Sequence, residues 1–186
     1  MSKILIICAL MLAGLPNAHA TEPLVAPDWT LETPGGSSVN LHDAVQQRVT
    51  ILLFWATWCP YCKALMPHLQ SIKLEYQDTV QIFAINIFED GDPAAFIEDA
   101  GYDFTLLLSG DTVADAYGIT ATPGIIILDP DRTLHFDLRS LPRIDLPDHN
   151  GGATNRRKAA WLAPHWAAEI RRSVDDLMQS AYLNHP

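Results

Sequence analysis

The chain has 186 residues, 48% of them hydrophobic and 18% charged. That composition suits one globular domain with a short accessory segment, not a disordered chain. The formal net charge of −10 argues against nucleic acid as a partner, because phosphate binding needs a basic face, and weakly against adhesion to anionic lipid.

Residues 1–20 read as an export signal. Lys3 supplies a small positive start, residues 4–15 form an apolar run too short to span a bilayer comfortably, and Ala18-His19-Ala20 offers small residues around a cleavage point. An uncleaved membrane anchor is the alternative. Cleavage predicts a single domain over 21–186, periplasmic or otherwise extracytoplasmic, with no stable membrane insertion. Cys8 lies inside the apolar run and is not read as a lipid-attachment site. Its loss leaves Cys59 and Cys62 as the only cysteines, which suggests a redox pair more than a disulfide scaffold.

Residues 29–31 and 39–41 alternate on either side of Pro34-Gly35-Gly36-Ser37-Ser38 and predict a β-hairpin. Residues 43–47 form a short helical turn. The continuous apolar run at 50–55 reads as a strand buried on both faces. From 60 to 76, Leu65, Leu69, Ile72 and Tyr76 recur at helical spacing, with Pro67 inside the helix. A second central strand spans 80–87. Asp92 caps a helix with Pro93 at its first position, and Gly101 closes it. A short strand at 104–108 and a helix at 111–117 ended by Gly118 follow. An apolar strand at 125–128, the turn Asp129-Pro130-Asp131-Arg132 and a strand at 133–136 complete the pattern. Residues 137–157 show no periodicity and are rich in Pro, Gly, Asp and Asn. From Pro164 onward, Trp166, Ile170, Val174 and Leu177 mark one face of a final helix. The alternation of strands and helices predicts an α/β sandwich, and the closing hairpin makes its sheet mixed.

Cys59-Pro60-Tyr61-Cys62 follows a buried strand and opens a helix. The free N–H groups and positive dipole end of that helix stabilise a thiolate at Cys59, predicting a partly exposed nucleophile. Cys62, about one turn later on the same side, is placed to attack a mixed disulfide, and Pro60 stiffens the first turn. A zinc site would want four ligands, and none appear at ligand spacing. A static disulfide over so short a loop would be a poor staple, and two unrelated thiols would not explain the strand–turn–helix context.

The stretch Phe54-Trp55-Ala56-Thr57-Trp58-Cys59-Pro60-Tyr61-Cys62-Lys63 resembles the thioredoxin superfamily active site, and more narrowly the exported TlpA/ResA-like branch, which includes thioredoxin-like proteins of cytochrome c maturation. The similarity runs from about residue 26 to 136. It takes in Pro27-Asp28-Trp29-Thr30-Leu31, Pro67, the inserted helix at 93–100, Ala116-Tyr117-Gly118-Ile119-Thr120-Ala121-Thr122-Pro123 and the strand from Ile125 to Asp129. The resemblance implies a thioredoxin-like three-layer sandwich with an N-terminal β-hairpin extension and an inserted helix. It implies thiol–disulfide exchange through a redox-active disulfide between Cys59 and Cys62, with a protein dithiol or disulfide as client, a membrane electron donor, and neither cofactor nor metal. It also makes Pro123 a cis proline facing the pair, exposing the Thr122 backbone to an extended client segment.

Two departures stand out. Leu53 replaces the buried acid that many members place before the motif, and Pro60-Tyr61 lacks the glutamate frequent in the ResA-like branch. Proton transfer at Cys62 is therefore expected to use water or a more distant group. Pro60-Tyr61 is also the glutaredoxin dipeptide, but the export signal and the Trp55–Trp58 context weigh against that reading. Tyr61 either hydrogen-bonds a client or covers the disulfide. Trp55 reads as core or active-site wall, and Trp58 shields the thiolate and packs on clients. Lys63 either lowers the thiol pKa or is a solvated helix residue. Met66 and His68 beside the pair leave a copper-binding or assembly role as the alternative function. His149 and His165 read as surface residues. Arg156-Arg157-Lys158 reads as a solvated approach to the last helix or as a dock for an acidic partner.

Overall fold

The computed structural model describes residues 24–144 and 154–184, the last four as backbone only. The export signal at 1–20, the start of the mature chain at Thr21, and His149 lie outside the described residues. The hairpin is present as β1 (Thr30–Glu32) paired antiparallel with β2 (Ser38–Asn40), leading into the short helix α1 (Leu41–Ala44). Asn40 caps α1 by accepting the Asp43 N–H at 3.2 Å.

The central strand β3 (Val49–Trp55) is buried along its whole length. Its residues alternate between two cores. Val49, Ile51, Leu53 and Trp55 face one, and Leu52 and Phe54 face the other. The same alternation holds in β4 (Val80–Asn86) and β6 (Gly124–Leu128). A strand covered on both faces has no reason to alternate polar with apolar, which is why the run at 50–55 is continuously hydrophobic. Each fully buried Leu or Ile there stabilises the fold by about 1.5–3 kcal/mol.

The sheet has the order β5-β4-β3-β6-β7, with β5 at Thr105–Leu107 and β7 at Leu134–Asp137. β3, β4 and β5 are parallel; β6 and β7 run antiparallel to their neighbours. The helix α2 (Pro60–Tyr76) and the last helix, α5 (Asn155–Asn184), contribute to one core. The hairpin, α1 and α4 (Asp111–Ala116) contribute to the other. This is a thioredoxin-like three-layer sandwich. The inserted helix α3 (Pro93–Ala100) carries the expected ends: Asp92 accepts from the Ala95 N–H at 3.0 Å, and Gly101 takes φ 67°, where a Cβ would be strained.

Two expectations need correction. The final helix starts at Asn155, nine residues before Pro164, and runs through that proline. A proline at an apparent helix start is read as the first position, since its missing N–H is harmless there. Here Ala159 and Ala163 are already buried upstream of it, with Ala167 buried beyond. Packing on α2 offsets the lost hydrogen bond. The stretch expected to be irregular over 137–157 is also partly regular, since Asp137 ends β7, Leu138–Ser140 form a 3-10 turn and 155–157 are helical.

Candidate active site

The parallel pair β3–β4 delivers both chains to one end of the sheet, and the cysteine pair lies just beyond it. β3 ends at Trp55, a short turn follows, and Cys59 caps α2, with Pro60 at the helix's first position. Cys59 and Cys62 form a disulfide, with Cα atoms 5.3 Å apart. The Cys62 backbone N–H donates to Cys59 Sγ at 3.1 Å. That contact is the N-cap bond of α2, with sulfur in the place usually taken by a Ser or Asp oxygen.

Because β6 runs antiparallel to β3, Gly124 stands opposite Phe54. Thr122 and Pro123, immediately before it, therefore fall beside the chain that leaves β3 for Cys59. The Thr122–Pro123 peptide is cis. A side chain at Gly124 would force its neighbours to shift, because an added Cβ would meet Ile119 Cγ2 at 2.8 Å and Phe54 Cβ at 3.3 Å.

The expected partial exposure of Cys59 is corrected. It is 1% exposed and Cys62 0%. Both sulfurs belong to the core beneath the sheet's end, and Tyr61 and Trp166 pack against that core. The ring of Trp166, from α5, lies 6.1 Å from that of Tyr61.

The remaining sequence-predicted residues fall on two sides. Tyr61, Thr122 and Pro123 line one depression together with Trp166. Trp58 and Pro60 line a second one with Lys63. Trp58 is half exposed, and its indole N–H donates to the Phe88 carbonyl at 2.7 Å. Lys63 places its ammonium 5.4 Å from the centre of the Phe96 ring. Met66 is wholly buried in the same core as the two cysteines, and His68 is partly exposed. Leu53 is wholly buried between Ala84 and Ile125.

A carboxylate that spacing did not reveal supports the turn before Cys59. Glu89, just past β4, accepts from the Thr57 N–H at 2.9 Å, the Thr57 hydroxyl at 2.5 Å, Asn86 Nδ2 at 2.6 Å and the Gly91 N–H at 2.8 Å. Partial burial works to raise its pKa, but the bonds from Thr57, Asn86 and Gly91 outweigh it and hold the carboxyl down at about 2. Neighbouring Phe88 takes φ 53°, held by its N–H donating to Asp111 and its carbonyl accepting from Trp58.

Residues 24–136 match the AhpC/TSA family. The chain belongs to that family. It is 32% identical over 108 residues to the thioredoxin-like protein YneN of Bacillus subtilis, covering 56% of this chain and 63% of the relative. It is 33% identical over 107 residues to the thiol-disulfide oxidoreductase ResA of Halalkalibacterium halodurans, covering 56% of this chain and 60% of that one. The chain thus spans about three fifths of the length of these relatives. Among solved structures, it resembles a putative thiol:disulfide interchange protein DsbE from Chlorobium tepidum, with a TM-score of 0.56 and 26% identity over 62% of this chain and 82% of that one. Everything in this family member beyond residue 136, including Trp166 and the rest of α5, lies outside the family match.

Proposed function

We propose that this chain is an exported thiol–disulfide oxidoreductase that reduces disulfides of client proteins outside the cytoplasm. The observation carrying this reading is the Cys59–Cys62 pair at the amino end of α2, with the Cys62 N–H aimed at Cys59 Sγ. Once the pair is reduced, that donor and the helix dipole favour a thiolate at Cys59. Likeness to relatives named thiol-disulfide oxidoreductases supports the chemistry. The reducing direction rests on resemblance to the TlpA/ResA-like branch, and export rests on the pattern of residues 1–20.

The Cys59 thiolate attacks one client sulfur and displaces the other as a thiolate, giving a mixed disulfide. Cys62, deprotonated to water or a more distant group because Leu53 offers no carboxylate, attacks Cys59 Sγ. The client sulfur bonded to Cys59 leaves as a thiolate, two electrons have passed to the client, and Cys59 is joined to Cys62. A membrane electron donor restores the dithiol. Trp58, Pro60, Tyr61, Thr122 and Pro123 form the wall on which the client lies, and the Thr122 backbone pairs with an extended client segment.

Pre-reduced protein mixed with insulin tests this. Stoichiometric reduction is expected from the natural chain, and only background from Cys59→Ser. Cys62→Ser should accumulate a covalent client adduct visible by mass spectrometry. Full exchange by Cys59→Ser sinks the reading. A reduction potential near the about −270 mV of reducing thioredoxins supports the direction, and one near the about −120 mV of strong oxidants reverses it.

A further inference from the structure

The two depressions beside the disulfide are lined by cations, although the chain as a whole is acidic. Asp and Glu outnumber Lys and Arg by 22 to 12. Yet the depression on the Tyr61 side is lined by Arg139 and Arg143, the one on the Trp58 side by Lys63 and Arg156, and among the described residues neither is lined by an Asp or Glu.

Arg139 is already engaged. Its guanidinium donates to the Asp137 carboxylate and to the carbonyls of Tyr117 and Gly118, so it anchors the segment after β7. Lys63, Arg143 and Arg156 are exposed, and among the described residues no carboxylate lies within ion-pair distance of them. The depression that holds Arg143 is otherwise largely apolar, with Leu162 and Trp166 of α5 lining it together with Pro123. Arg143, Arg156, Leu162 and Trp166 all lie beyond the part of the chain matched to its family. The family-matched part supplies the sulfurs and Lys63, and the part beyond it supplies Arg143 and Arg156.

Building on the redox reading above, we infer that the client is an extended polypeptide segment with acidic residues on both sides of its cysteine and an apolar side chain near it. The acidic side chains meet Arg143 on one side of the disulfide and Lys63 with Arg156 on the other; the apolar one rests on Trp166 and Leu162. Exposed pairs of this kind add little affinity each, but together they steer encounter and select against basic segments.

The test is single-turnover reduction, by the pre-reduced full chain, of two disulfide-linked peptides that differ only in having Glu or Lys on both sides of the cysteine. Oxidised glutathione and the neutral hydroxyethyl disulfide serve as small comparators. At low ionic strength the Glu peptide should react at least about tenfold faster than the Lys peptide, the gap shrinking in high salt. The double variant Arg143→Glu/Arg156→Glu should remove that preference and leave the hydroxyethyl disulfide rate unchanged, which also reports an intact fold. Equal peptide rates alongside normal hydroxyethyl disulfide reduction overturn the charge assignment while the redox reading stands. So does a Lys peptide that reacts faster, or oxidised glutathione reacting as fast as the Glu peptide. No reduction of any disulfide removes the redox reading, and this inference with it.

Discussion

Glu89 shows how a side chain remote in sequence sets the geometry beside the sulfurs. It lies 32 positions from Thr57, yet both Thr57 donors end on its carboxylate. The cause is the parallel register of β3 and β4, which pairs Trp55 with Asn86 and brings the two exit loops together. Its pKa is about 2 against an ordinary 4.5. A depressed carboxylate pKa contributes stability that is complete above the ordinary value and is lost as pH falls through the folded one. Glu89→Gln should therefore destabilise by about 1–2 kcal/mol at neutral pH, a figure discounted for solvent screening. The gap from the natural chain should close as pH drops from about 4.5 toward 2. Urea midpoints measured across that range check it, and a gap that widens in acid contradicts it. No spacing rule picks Glu89 out of the acidic run Glu89-Asp90-Gly91-Asp92, so its partners were not legible before folding.

The helices differ in how much of their role is written locally. α2 and α3 have their caps, prolines and periodicity in one short stretch, and their observed bounds follow those signals. α5 does not advertise its start, because alanines at 159, 163 and 167 bury a face without a strong hydrophobic pattern. Ile170 and Val174 are fully buried, and Tyr76–Asp175 and Arg171–Glu75 contacts tie α5 to α2 along its exposed flank. Ile170→Ala should cost about 2–5 kcal/mol, from lost burial plus the cavity left behind, read as a lower denaturant midpoint with an unchanged slope. A cost under about 0.5 kcal/mol, the level of an ordinary surface change, would mean that α5 does not pack as described.

Across the domain, the segment before the hairpin is sewn to the turn and strand that follow β6. Ala26 N–H donates to the Arg132 carbonyl at 2.9 Å, and Leu134 N–H to the Leu24 carbonyl at 2.8 Å. Tyr117, at the end of α4, donates its hydroxyl to the Pro27 carbonyl at 3.1 Å. Burial pushes this phenol up to about 12, and burial with the neighbouring Asp175 carboxylate does the same for Tyr76. A raised phenol pKa stabilises the fold below the ordinary value of 10.0 and loses that contribution as pH rises toward 12. Stability should fall across this alkaline window, and Tyr117→Phe should fall less steeply there. Denaturant midpoints followed together with phenolate absorbance would show it, and identical slopes for both proteins would contradict it.

Hydrophobic period, capping residues and the Cys-x-x-Cys spacing are local properties, so the central strands, the active-site helix and the two sulfurs could be found from residue order. The burial of Cys59, the clamp at Glu89 and the cations gathered around the disulfide depend on contacts between residues tens of positions apart. Those contacts exist only after the sheet sets its register and α5 lies across α2. Local propensity carries no information about such long-range juxtaposition, and only the packed structure decided it.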